Sequence, residues 1–324
     1  MRYFINTYNI IIQLIRFNTL LNRQREYATK LLGNQLTHLN QSTRKKALNY
    51  AIYIPIFIGH SYTLFRNKKF TSTELECITL LGALTALFDD LFDTENYDYS
   101  KINQLLLRPI ATKNTTDYEN TLITIYNKIL GLTTNKTQLI ELALKIHAAQ
   151  IESTKQIKGN LATQELITIT YNKGGYSMLL YRTAFNEPIT ALEKELYYKI
   201  GAIGQLENDI FDIYKDLNDG IQTLAIDTKS IKLLRSNYNN LKKEIFSLVN
   251  KHDNPLKQKL QFKLTLILII ERGNVALNYY EKSTQKPTFQ FQPQKLSKKQ
   301  LICDMEKPIN IVKLIHYAAS CCKK

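Results

Sequence analysis

Carboxylates gather in two places where the surrounding sequence is otherwise apolar. Asp89, Asp90 and Asp93 stand in ITLLGALTALFDDLFDTE, and Asn208, Asp209, Asp212 and Asp216 stand in IGAIGQLENDIFDIYKDLNDG. Taking a carboxylate out of water costs several kcal/mol unless something compensates its charge. Divalent metal is one such compensation. Mg²⁺ prefers oxygen ligands, keeps much of its own water and completes its shell with one or two carboxylates and substrate phosphates. Two acidic clusters on two apolar helices therefore point to metal that holds a diphosphate.

Spacing sharpens this. Each residue of an α-helix advances about 100°, so Asp89 and Asp93 lie roughly 40° apart and Asp90 lies about 60° from Asp93. Asn208, Asp212 and Asp216 recur at four-residue steps and share a face, whereas Asp209 is turned about 100° from Asn208 and about 60° from Asp212. Lys215 is close enough to meet a phosphate as a point charge. A solvated acidic helix end is the bland alternative for one cluster, and for the first cluster alone it is a serious competitor. The upstream LLGALTALF leaves little polar face to solvate, however, and Asp209 repeats the situation 119 residues after Asp90. Solvation explains one such cluster far more easily than two.

The elements that must carry these motifs are helical. Apolar residues recur at three- and four-residue spacing through most of the chain, and almost no segment alternates like a half-buried strand. Helices are expected over about 5–33, 42–66, 72–93, 101–107, 116–131, 136–158, 163–184, 189–217, 228–250, 254–282 and 308–320. Thr71-Ser72-Thr73-Glu74 reads as a helix start, with a hydroxyl cap and an acid in the first turn. Asn186-Glu187-Pro188 separates two helices. The one clear change of composition is STQKPTFQFQPQKLSKKQ (283–300), an extended strap before a short C-terminal helix. The economical organisation is an all-α chain with an amphipathic helical extension at 1–44, one catalytic domain at 45–285, and the strap and short helix at 286–324.

Bulk properties agree with a helical chain that builds a sizeable core. Of 324 residues 44% are hydrophobic, while only 11 Gly and 7 Pro encode turns. Lys and Arg outnumber Asp and Glu by 43 to 28, a formal charge of +15. A Lys-rich solvated surface is the plain reading of that charge, and a polyanionic small substrate or an anionic membrane surface suits a positive field as well. Nucleic acid is not expected, because zinc-finger spacing, RNP-like motifs and a compact basic-aromatic stripe are lacking. Cys77, Cys303, Cys321 and Cys322 match no zinc pattern or disulfide framework, so reduced thiols and a cytoplasmic location are expected. The N-terminal segment reads as an amphipathic helix rather than a signal peptide. LTLILII (264–270) is too short to span a bilayer, so no stable membrane insertion is expected.

With both motifs on the page, a resemblance emerges. DDLFD resembles the DDxxD motif of the class I isoprenoid synthases, and NDIFDIYKD resembles the second metal motif of terpene synthases, in which Asn, Ser or Thr, and Glu occur at four-residue steps. The chain departs at Asp212, where Ser or Thr is usual, and at Asp216, where Glu is usual. Those departures are similar to the second aspartate motif of squalene/phytoene and prenyl-chain synthases, and IGAIGQLEN is similar to the squalene/phytoene helix that precedes it. The resemblance covers about residues 45–285. It implies a single-domain helical bundle around a central active-site cavity, with the two motifs as walls of one ionisation site. It further implies Mg²⁺ as cofactor, three ions with Mn²⁺ as a substitute, held by Asp89, Asp90, Asp93, Asn208, Asp212 and Asp216. A prenyl diphosphate would be the substrate, and dimers are common in the superfamily.

Between the motifs lies Tyr171-Asn172-Lys173-Gly174-Gly175-Tyr176-Ser177. A Gly pair in an apolar helix costs roughly 1–2 kcal/mol relative to Ala. It marks either close helix packing or a kink that would set Lys173 against the diphosphate, and the superfamily's broken helix in this region favours the kink. Arg182 is a second diphosphate candidate against the alternative of a surface Arg. Phe88, Phe92, Tyr176, Phe185 and Phe211 are available to face a carbocation, at about 0.5–2 kcal/mol each, although core packing is the commoner use of such rings. Arg272 is a weaker candidate, and His60 and His147 read as core residues rather than bases.

Overall fold

The computed structural model describes residues 2–92, 98–157, 159–283 and 291–321, with side chains from residue 7 onward. Among these residues fifteen α-helices follow one another: α1 (Arg2–Leu32), α2 (Gln41–Ile54), α3 (His60–Arg66), α4 (Ser72–Phe92), α5 (Tyr99–Leu107), α6 (Asp117–Leu132), α7 (Lys136–Ser153), α8 (Thr163–Arg182), α9 (Ala191–Phe211), α10 (Ile213–Asn218), α11 (Leu224–Asp227), α12 (Ile231–Lys251), α13 (Leu256–Ser283), α14 (Lys298–Leu301) and α15 (Pro308–Cys321). Among the described residues no strand forms, so the all-α expectation holds. They fall into two compact units: Met1–Gln13, Ala148–Met178 and Ala191–Lys324 make the first, and Leu14–His147 with Leu179–Thr190 make the second. Three of the four borders along the chain fall inside α1, α7 and α8, and the fourth lies at the start of α9.

Three differences from the sequence expectation have local causes. The single helix expected over 42–66 contains a π-helical turn at Pro55–Gly59, because Pro55 brings no N–H to the ladder and its ring crowds the preceding turn. The helix expected over 189–217 is interrupted at Asp212, whose φ of −91° and ψ of 8° lie off the helical values. There the buried Tyr280 hydroxyl donates to the Ile210 carbonyl over 3.0 Å. That carbonyl is also the ladder acceptor in register with the Tyr214 N–H, and a side chain that bonds into the ladder is a recognised cause of a kink. Thirdly, α8 runs unbroken through Gly174 and Gly175, so the kink expected there is replaced by close packing.

In the second unit α4 is apolar nearly all round, from Cys77 to Leu91, and packs against α2 and α6. Gly82 lets the α2 backbone approach, since a Cβ there would stand 2.6 Å from the Tyr50 carbonyl oxygen. The start of α4 matches its signature. Glu74 N–H donates to Thr71 Oγ1 at 3.1 Å and Thr71 N–H donates to the Glu74 carboxylate at 2.9 Å, so two orphan amide donors are satisfied reciprocally. The same carboxylate receives Arg66 at 2.7 Å, and Arg66 also reaches Glu187 at 2.6 Å.

In the first unit α9 packs on α12 and α13, and α13 on α15. The α8 and α9 backbones meet at Gly174 and Gly201, where a Cβ on either would collide with the other's carbonyl oxygen. Neither partner is a flexible side chain, so no rotamer change relieves the clash. Gly174→Val is therefore expected to cost about 3 kcal/mol, the upper part of the usual overpacking range. Urea denaturation of the variant measures this, and a midpoint unchanged from the parent would show that α8 and α9 separate freely.

Candidate functional site

The first acidic motif belongs to the second unit. It ends α4, where a helix presents its negative pole and carboxylates are disfavoured without a counter-charge. Asp89 and Asp90 are both half-buried there. Lys46 on α2 supplies that charge, its ammonium donating to Asp90 Oδ1 at 2.7 Å. Burial works to lower the Lys46 pKa, but the Asp90 hydrogen bond and the charges of Asp89 and Asp90 outweigh it and hold the ammonium above its usual range. Burial likewise raises the Tyr181 phenol, whose hydroxyl donates to Thr85 Oγ1 at 3.1 Å one turn before the motif, and the Asp89 charge adds to the shift. Asp93 lies outside the described residues.

The second motif belongs to the first unit and crosses the α9–α10 interruption. Asp212 N–H still bonds the Asn208 carbonyl at 2.9 Å and Asp216 N–H the Asp212 carbonyl at 2.8 Å. The four-residue register of Asn208, Asp212 and Asp216 thus survives the break. Asn208 is exposed and donates through Nδ2 to Asp212 Oδ2 at 3.2 Å. Asp212 is half-buried and Asp216 is 8% exposed. Burial, followed by the charges of Asp209 and Asp212, pushes the Asp216 carboxyl up to about 7, against a smaller opposite pull from Lys215.

Asp209 is the residue that angular reasoning set aside. It is 6% exposed and accepts from Thr170 Oγ1 at 3.1 Å and from Gln205 Nε2 at 2.9 Å. Burial pushes it up to about 6 despite those donors and the nearby Lys173, while Asp212 adds repulsion. A signal for it existed. Asp209 and Asp216 are seven residues apart, which on a helix returns to within about 20° of the same direction. Lys46 is the other residue missed, and nothing in the spacing of the chain links it to Asp90, 44 residues away.

The first unit therefore collects Asp209, Asp212 and Asp216 under the influence of Lys173 and Lys215. Lys173 is half-buried on α8 and Lys215 is exposed on α10. Arg182 stands elsewhere, in the second unit. It is 1% exposed, donates to the carbonyls of Glu187 at 3.1 Å and Pro188 at 3.3 Å, and lies 4.3 Å from the Tyr62 ring centroid. Those contacts tie the end of α8 to the loop that follows, and the surface placement weighed for Arg182 is overturned by its burial. Arg272 pairs with Glu207 at 3.3 Å and lies over Phe211. Burial pushes Glu207 up to about 7 although Arg272 opposes the shift.

Three of the aromatic candidates pack against other rings. Phe185 is buried against Tyr62 and Phe70, Phe92 stacks on His147 with centroids 5.6 Å apart, and Tyr176 meets Tyr198 edge-on at 5.7 Å. His147 is 2% exposed, bonded through Nδ1 to Asn103 and lowered by burial, which is the core histidine expected. Cys77, Cys303 and Cys321 are free thiols, and burial pushes Cys77 up to about 12. An open groove of about 620 Å³ between α5 and α6, lined by Lys101, Leu105, Arg108, Ile110 and Glu119 among others, contains no residue of either motif.

Among the described residues, no three His, Cys, Asp or Glu side chains are gathered closely enough to cage a metal ion. The donor set still suits a hard cation that keeps its water. All its atoms are oxygen, and burial, with a smaller addition from neighbouring carboxylates, raises both Asp209 and Asp216. No protein-family model matches the chain, and comparison with curated proteins returns no match.

Proposed function

We propose that the chain is a Mg²⁺-dependent class I terpene synthase, which ionises a prenyl diphosphate and cyclises the resulting allylic cation. The observation that carries this reading is the cluster of Asp209, Asp212 and Asp216 under the influence of Lys173 and Lys215, in which the buried Asp209 and Asp216 are raised by burial first and by neighbouring carboxylates second. Such a site is incomplete without added positive charge, and it follows in sequence a second aspartate motif at Asp89 and Asp90. Mg²⁺, when bound, would neutralise the departing diphosphate. In the first unit Asn208, Asp212 and Asp216 are the residues that would hold it, and the resemblance to the DDxxD motif adds Asp89, Asp90 and Asp93 as further ligands. Lys173 and Lys215 would orient the diphosphate as point charges. The apolar sequence around the motif on α9 would keep water from the cation once the carbon–oxygen bond has broken. No dedicated protein base is required, because the released diphosphate can accept the proton.

A second reading draws on one observation. Asp212 and Asp216 keep a DxxxD register across the helix break, as in enzymes that condense two prenyl diphosphates. Incubating the protein with C10 to C25 allylic diphosphates and Mg²⁺, with and without isopentenyl diphosphate, separates the two. A hydrocarbon or alcohol from one allylic substrate is the expected product. A longer diphosphate formed only with isopentenyl diphosphate, or a head-to-head dimer, would replace cyclisation by condensation. Release of no diphosphate from any of them would leave a helical binding protein.

A further inference from the structure

α1 carries two apolar faces where a surface helix needs one. Its buried side runs through Ile10, Phe17, Ala28 and Leu32, each at most 5% exposed. On a helical wheel the opposite side carries Tyr8, Ile11, Ile12 and Ile15, spaced i, i+3, i+4 and i+7. These four are exposed by 64%, 43%, 39% and 64%. Single exposed apolar residues are ordinary on a protein surface, but four on adjacent turns of one face form a stripe. Arg16 and Arg23, both exposed, border that stripe. Four arginines and no acid precede Glu26 in the chain.

The geometry points to an interaction surface: the outer face of α1 lies on an anionic lipid bilayer, with Tyr8, Ile11, Ile12 and Ile15 in the headgroup–acyl boundary and Arg16 and Arg23 against lipid phosphates. A helix with an apolar stripe, a cationic flank and modest overall hydrophobicity lies in the membrane interface rather than across it. In agreement, no helix among the described residues is long and apolar enough to cross a membrane. Charge decides against a second copy of the chain as the occupant, since both copies would bring the same arginines. Size points the same way, because four side chains fall well short of the roughly 800 Å² per partner that a stable dimer buries. The formal charge of +15 adds long-range attraction to the same surface. This surface is independent of the chemistry proposed above.

The test is co-sedimentation of the full chain with vesicles of phosphatidylcholine alone and of phosphatidylcholine with about 30% phosphatidylglycerol, a fraction chosen to give an anionic surface. Binding is expected to the anionic vesicles, weakening as salt screens the arginines. Ile11→Gln with Ile15→Gln should lower the partition coefficient at least about tenfold, and Arg16→Gln with Arg23→Gln should lower it by about the same factor on anionic vesicles only. All four substitutions are on solvent-facing positions, so thermal midpoints should stay at the parent value. Absence of binding to either vesicle would overturn the proposal, as would binding that ignores both double substitutions. A concentration-dependent dimer in sedimentation velocity that only the isoleucine variant abolishes would assign the stripe to a second copy instead.

Discussion

Asp89→Ala and Asn208→Ala are each expected to lower Mg²⁺-dependent diphosphate release from a prenyl diphosphate by about 10²–10³-fold, the loss typical when one group that stabilises developing charge is removed. The fold should survive both changes. Asn208 is exposed and Asp89 half-buried at the end of α4, so neither truncation opens a cavity in the core. Circular dichroism and the thermal midpoint provide the check on folding. Asp90→Ala is a less clean probe because it also strips Lys46 of the carboxylate it bonds at 2.7 Å. Asp212→Ala should act like Asn208→Ala, since the two side chains bond each other. Release that proceeds at the parent rate in both the Asp89 and Asn208 variants would remove metal-dependent ionisation as the activity of this chain.

The second large effect is on stability and has a definite sign. Asp209 is pushed up to about 6 and Asp216 up to about 7 in the folded chain, from the ordinary aspartate value of 3.8. Across the window between those values the folded state holds protons that the unfolded state has lost, so stability falls as pH rises. The penalty is absent below about pH 4 and complete above about pH 7, where without metal it should amount to about 3 kcal/mol or more, the two sites being coupled rather than additive. Denaturant unfolding at a series of pH values measures it. Millimolar Mg²⁺ should restore stability at pH 8 and do little at pH 5, where protons already neutralise the site. Asp216→Asn removes the charge without changing the shape. It should stabilise the metal-free protein at pH 8, flatten the pH dependence and shrink the Mg²⁺ effect. A parent protein equally stable from pH 5 to pH 8, or a Mg²⁺ gain that Asp216→Asn leaves intact, would show that these carboxylates are not the repelling pair described.

Both experiments bear on residues that were legible in the sequence to different degrees. Asp212 and Asp216 announced themselves by four-residue spacing, and backbone hydrogen bonds preserve that spacing even where α9 ends. Asp209 was legible in its seven-residue distance from Asp216 but was outweighed by its turn away from Asn208. Its carboxylate is bonded by Thr170 and Gln205, the first of them 39 residues distant. Lys46 was not legible, because only the packing of α2 against α4 brings it to Asp90. The Gly174-Gly175 pair allowed two outcomes, and close approach prevailed because Gly201 leaves room for a backbone contact that any side chain would block. Arg182 looked like a cation waiting for a phosphate, whereas packing encloses it against Tyr62 and two carbonyls.

What the sequence determined by itself is what a single helix can express. Apolar spacing of three and four set the helices and their ends to within a few residues. The Thr71–Glu74 cap started α4, and carboxylates inside apolar runs marked where charge would be costly. The tertiary structure decided which of those charges are desolvated and what answers them. It also decided where a helix gives way, as at Asp212, beside which the Tyr280 hydroxyl on α13 bonds the Ile210 carbonyl. The physical reason is one of range. Helical periodicity acts over a few neighbouring residues, whereas desolvation and ion pairing depend on groups brought close by chain segments that lie tens of residues apart.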